Sequence, residues 1–189
     1  MIRPLLQVLR LLVISALAGA AWVAHRPQAL PVPPASTAKA DDVLDNLRQT
    51  TIKRAAVMVI SEDELNRHLA STLTSKMKNP FGDWAAFDGA RIDLEENTAR
   101  LFLVWKLKGH TRTVRVDLAI SRDADNFHVE LLRGAYGHLE LPRGMMRPLY
   151  PVLRAVAEAL DPEIRALFQM TSITIAKDKL VLDPRFPTA

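Results

Sequence analysis

From Leu5 to Ala24 the chain is apolar at nearly every position, with Gln7, Arg10 and Ser15 as the polar interruptions. A helix of about 20 such residues, rising 1.5 Å each, crosses a hydrocarbon core of roughly 30 Å. The uncharged run from Leu11 to Ala24 also has the length of a signal-peptide hydrophobic region, and Ala18-Gly19-Ala20 fits an A-x-A cleavage pattern. Trp22 and Val23 extend the run beyond that pattern, and Trp suits a membrane–water interface. Three readings stay open: an uncleaved anchor, a cleaved signal, or a helix buried in a core. Arg3 and Arg10 on the N-terminal side place that end in the cytoplasm and the body of the chain outside it.

The pattern then changes. Residues 26–40 read RPQALPVPPASTAKA, with prolines at 27, 31, 33 and 34. Such a stretch stays extended without a packed core and predicts a tether that lifts the next domain off the membrane. The expected division is therefore 1–26 anchor or signal, 27–40 linker and 41–189 an extracytoplasmic domain. Asp41 and Asp42 can cap a short helix towards Gln49, with Val43, Leu44 and Leu47 on its apolar side. Ala55 to Ile60 is a continuous apolar run of strand length. Ser61 and Glu64 have capping-box spacing, and Leu65, Leu69 and Leu73 make the apolar stripe of the helix that follows.

From Trp84 to Pro142 the period is two. Ile92 and Leu94 alternate with charged residues, and Glu96-Asn97 makes a turn. Leu101, Leu103, Trp105 and Leu107 share one side of the next strand, with Phe102 and Val104 on the other. Gly109 marks a reversal, and Val114, Val116, Leu118 and Ile120 resume the alternation. The fourth strand runs from Phe127 to Leu141, with Gly134 and Gly137 predicting a bulge or sharp bend within it. A second helix is expected over 147–160, with Pro148 and Pro151 in its first turn and Leu149, Leu153, Val156 and Leu160 on its buried face. A short helical piece over 162–168 and a hairpin of Ser172–Ala176 with Leu180–Leu182 close the chain. The predicted class is α+β: an N-terminal transmembrane helix or signal anchor, then a curved antiparallel β-meander packed on two helices.

Charge and composition narrow the function. The pI near 9.6 suggests nucleic acid until the charges are placed. Of the 25 basic residues, Arg3, Arg10, Arg26 and Lys39 precede Asp41, while all 21 acidic residues lie at or beyond it. The body thus holds 21 basic and 21 acidic residues, unlike a nucleic-acid binder, which concentrates positive charge in its folded domain. There is no cysteine, which excludes disulfides, thiol catalysis and lipoprotein acylation.

Catalytic patterns are weak. His128 with Glu130 and His138 with Glu140 are strand neighbours on one face, without the spacing of His/Glu zinc sites. Ser36/Lys39 and Ser75/Lys78 match S-x-x-K without its companion motifs, and Gly134 to Gly137 lacks the lysine and helix of a phosphate loop. No catalytic residue, metal or cofactor is expected. Asn66 beside the helical stripe is either solvent-exposed or a buried amide tying the helix to a strand. Lys106, Lys108, Arg112 and Arg115 gather around Gly109, either protecting a strand edge or meeting anionic lipid headgroups. A strand apolar on both faces predicts two covered surfaces, the second against a helix, a partner or an apolar ligand. The expected groove is lined by Leu101, Leu103, Trp105 and Val116 from the sheet, and by Leu149, Leu153 and Val156 from the helix.

The order of these pieces resembles a known group. The anchor, Ile60-Ser61-Glu62-Asp63-Glu64-Leu65-Asn66, a strand meander and Tyr136-Gly137-His138-Leu139-Glu140-Leu141-Pro142 before a helix resemble the YpmS-like bacterial envelope proteins. More loosely the chain is similar to tubular lipid-binding (TULIP-like) domains and to YceB-like lipoproteins, without the lipoprotein cysteine. The resemblance covers about residues 55–183. It implies a single-pass protein of the bacterial inner membrane, its domain facing the periplasm or cell exterior and holding lipid or another apolar molecule. The alternative is a scaffold that docks a partner within a membrane complex.

Overall fold

The computed structural model describes residues 2–30, 43–53, 57–77, 82–123 and 126–185. The expected linker over 31–40, the caps at Asp41 and Asp42 and the turn at Asn79 and Pro80 lie outside them. The fold is α+β, with an N-terminal apolar helix and a five-stranded antiparallel sheet covered by helices.

The first helix, α1 (Ile2–His25), contains one segment, Leu5–His25, long and apolar enough to cross a membrane. That apolar window is not buried inside the domain, so the core-helix reading is overturned. The segment remains a membrane anchor or a signal sequence. Only its last turn meets the body, where Ala24 is buried.

The large sheet has the order β2 (Ala85–Glu95), β3 (Thr98–Leu107), β4 (His110–Asp123), β5 (Asn126–Tyr136) and β6 (Leu139–Leu141). Turn chemistry sets it. Lys108 and Gly109, with φ of 47° and 81°, form the two-residue turn between β3 and β4, a left-handed pair suited to hairpin twist. The expected single fourth strand is instead two. Gly137, at φ 54°, reverses the chain so that Tyr136 pairs with Leu139. Register breaks between Phe87 and Gly89, and again between Asp117 and Leu118 where β4 meets β5. Each such break bends its strand and increases the local twist.

Helix α3 (Glu62–Lys76) begins as its sequence predicts. The Glu64 amide donates to Ser61 Oγ at 3.3 Å and the Ser61 amide to Glu64 Oε2 at 2.9 Å, a complete capping box. The hydrogen bonds from the Ser61 hydroxyl and amide hold the Glu64 carboxyl below the usual range. Asn66, one turn on, is buried and resolves in favour of the tie. It donates to Ile92 O at 2.8 Å and accepts from Ile92 N at 2.7 Å. Glu62 Oε2 accepts from Leu94 N at 2.7 Å, although burial pushes its carboxyl above the usual range. Two side chains spaced four apart on one helix therefore occupy the free edge of β2, which would otherwise be open to strand addition.

The smaller sheet joins β1 (Met58–Ser61), β8 (Lys179–Asp183) and β7 (Ser172–Ala176) in that order. It is tied to the tip of the large sheet by Asn97 N donating to Ile175 O and Asp178 N donating to Leu94 O. Four helices rather than the expected two supply interior residues: α3, α2 (Val43–Lys53), α4 (Tyr150–Ala159) and α5 (Asp161–Leu167). The expected 147–160 helix starts instead as a 3-10 turn, Arg147–Leu149, before α4.

The interior divides in two. One cluster, around Leu73, Leu103, Trp105, Val116 and Val152, lies at the end of the sheet next to α1. The other, around Val43, Leu47, Leu94, Ile175 and Leu182, lies at the far end beneath the small sheet.

Candidate functional site

A cavity of about 500 Å³ separates the two clusters. The sheet gives it Leu94, Ala99, Leu101, Leu118, Ile120 and Leu131; α2 contributes Val43 and Leu47, and α3 contributes Leu65 and Leu69. Leu153, Val156 and Leu160 come from α4 and its end, Ile164 and Leu167 from α5. These α4 positions recur at helical spacing, so one face of the helix forms a wall. Val129 and Tyr150 belong to the lining and are each 56% exposed, which places them at the rim. The cavity opens to the surface at this rim, and its lining is almost wholly apolar.

The expected groove is only partly this cavity. All seven belong to or pack against the first cluster; Leu101, Leu153 and Val156 line the cavity, whereas Leu103, Trp105, Val116 and Leu149 do not. The reason is local packing. At Gly134 on β5 an added Cβ would come within 2.9 Å of Met146 Sδ and 3.1 Å of Leu149 Cδ1, so the chain leading into α4 is seated on the sheet there. Leu103 and Val116 are fully buried beneath it.

One polar pair interrupts the lining. His68 on α3 and Glu163 on α5 are both more than nine-tenths buried, with Nε2 3.0 Å from Oε1. With an ionised carboxylate, which only accepts, this contact corresponds to a proton on His68 Nε2. Thr72 Oγ1 lies 3.4 Å from the same nitrogen. The second Glu163 oxygen, Oε2, is shut off from water and has no hydrogen-bond partner among the described residues. Sequence reasoning passed over both residues. His68 could have been flagged by its place between Leu65, Leu69 and Thr72, at i+3 from Leu65 on the buried side of α3. Glu163 gives no local sign of a partner 95 residues away.

No family model and no curated protein sequence matches this chain.

The basic residues around Gly109 take several roles. Lys106 pairs with Asp88 at 2.6 Å, and Lys108 lies 5.6 Å from the ring centre of Trp84, itself 71% exposed. Arg112 instead donates to His25 O at 3.1 Å, at the end of α1. Arg115 lies 3.1 Å from Asp117 and 3.4 Å from Glu140, so carboxylates of its own sheet hold it. The α1 exit is fastened at other points too. His138 N donates to Val23 O at 3.4 Å, His138 Nε2 lies 3.1 Å from Pro27 O, and Gln28 N donates to Thr113 Oγ1 at 3.1 Å. The body thus meets the helix end at these points, and the expected linker beyond Leu30 lies outside the described residues. Gln28 lies against β4, and the next described segment begins at Val43 in the far cluster. His128 and Glu130 are exposed on β5, and among the described residues no three His, Asp or Glu side chains gather as metal ligands.

Proposed function

We propose that this is a membrane-anchored, non-catalytic envelope protein whose domain holds lipid or another apolar molecule. The observation that carries the reading is the apolar cavity of about 500 Å³ between the two core clusters, within the ~300–1,000 Å³ range of small-molecule sites. A scaffold that only docks a partner has no use for such a space. The resemblance to YpmS-like envelope proteins points the same way and suggests the bacterial inner membrane. In this reading α1 stays uncleaved with its N-terminus in the cytoplasm, and the domain rests on the outer headgroups. Trp22, 64% exposed and 5.2 Å from the Arg26 guanidinium, and the Trp84–Lys108 pair then sit at interface depth. In this reading Lys108, beside Trp84, meets anionic lipid, while Lys106 is paired with Asp88.

The test uses the full chain in phosphatidylcholine nanodiscs with a pyrene-labelled long-chain alcohol. The expected result is saturable uptake above that of empty discs, one probe per chain, lost in Leu118→Trp. Uptake equal to empty discs removes the proposal.

A further inference from the structure

We infer that the molecule held in the cavity presents a hydrogen-bond donor, a hydroxyl or amine, to Glu163, with its hydrocarbon part among Leu101, Leu118 and Leu153. This rests on the proposed apolar-ligand function and names the head-group chemistry of the same site. Buried polar groups in native folds are nearly always partnered, because an unpartnered one forfeits its hydration with no return. Glu163 Oε2 breaks that rule in a lining that is otherwise aliphatic apart from His68 and the rim Tyr150.

His68 Nε2 lies on Oε1, and with the carboxyl ionised Oε2 is an open acceptor that calls for a donor. Oε2 itself is covered. The terminal torsion of a glutamate is soft, however, so the carboxylate can turn Oε2 to the cavity surface as the head group's donor takes over part of its bonding to His68. An anionic head group would meet the Glu163 carboxylate in a low-dielectric wall and be repelled. An ether or ester of the same length would fill the space and leave Oε2 as it is. The pair thereby sorts ligands of equal hydrocarbon content by their head groups, since the aliphatic walls cannot distinguish them.

The experiment is displacement of the pyrene-labelled alcohol from the full chain in nanodiscs by hexadecan-1-ol or by its methyl ether, which differs in lacking the donor. A hydrogen bond to a charged acceptor predicts that the alcohol competes at about tenfold lower mole fraction than the ether. In Glu163→Gln, whose amide can donate to the ether oxygen, the gap closes. Hexadecyl sulfate competes more weakly than the alcohol in the wild-type chain. Equal displacement by alcohol and ether in the wild-type chain overturns the head-group inference and leaves the apolar-ligand reading standing. Displacement by none of the three overturns both. Should Glu163→Gln fail to fold, the wild-type comparison alone decides.

Discussion

Val116 and Leu118 are two residues apart on one strand and face the same interior, yet their surroundings differ. Val116 is fully buried on the filled side next to α1, while Leu118 borders an open cavity. The register break between β4 and β5 falls between them, after Asp117. On β3 the same change occurs between Leu103 and Leu101. Leu132 of β5 is the extra residue at this break, and a bulge of this kind bends the sheet where the packing changes from filled to open. A single sheet is thus filled on the side next to α1 and hollow farther along, where the cavity lies between the two clusters.

The largest expected effect comes from truncating matched leucines across this boundary. Leu103→Ala opens a new void in a filled core and is expected to cost about 3–5 kcal/mol in equilibrium unfolding. Leu118→Ala only enlarges an existing space and should cost less than about 2 kcal/mol. Equal costs would abolish the distinction between the two ends.

Gly137→Ala tests the fastening of the solid end to α1. A Cβ there would collide with Ala24 O and come within 2.6 Å of Arg26 O, on a backbone with φ 54°. The expected loss is about 1–2 kcal/mol, with a nitroxide at Ala29 becoming more mobile. An unchanged spectrum would mean that the helix exit is not held by this turn.

At the hollow end, enlargement should be tolerated. Ala99→Leu points into the cavity and is expected to stabilise the ligand-free chain by about 0.5–2 kcal/mol while reducing probe uptake. Destabilisation of the size typical of an overpacked core, about 1–3 kcal/mol, would show that the space is not there.

The smallest effect concerns the cap that seats α3 between the two ends. The Glu64 carboxyl is held below its ordinary value of 4.5, so its contribution is complete above that pH and fades as the pH falls through the lower folded value. Glu64→Gln should therefore cost up to about 1 kcal/mol at pH 7 and nearly nothing in strong acid. A penalty that grew on acidification would contradict the capping role.

Much of this fold is written in local pattern. The capping pair Ser61 and Glu64, the stripe Leu65–Leu69–Leu73 and the alternation along β3 and β4 each report on a neighbourhood of a few residues. Gly137 was misjudged because a glycine in a period-two run reads equally as a bend or as a turn, and only the pairing of Tyr136 with Leu139 decides. The cavity was half legible. Alternation tells which side chains face inward but not how far along a curved strand the opposing helix stays in contact. Leu103 and Leu101 are therefore indistinguishable in the sequence. The His68–Glu163 contact joins two helices far apart in the chain and leaves no pattern to find.

The measurement closest to the central claim is native mass spectrometry of the full chain ejected from membrane vesicles. The account predicts a population carrying one added apolar molecule per chain, absent in Leu118→Trp and retained in the volume-conserving Leu103→Met at the solid end. A bare chain, or equal occupancy in Leu118→Trp and wild type, would contradict it.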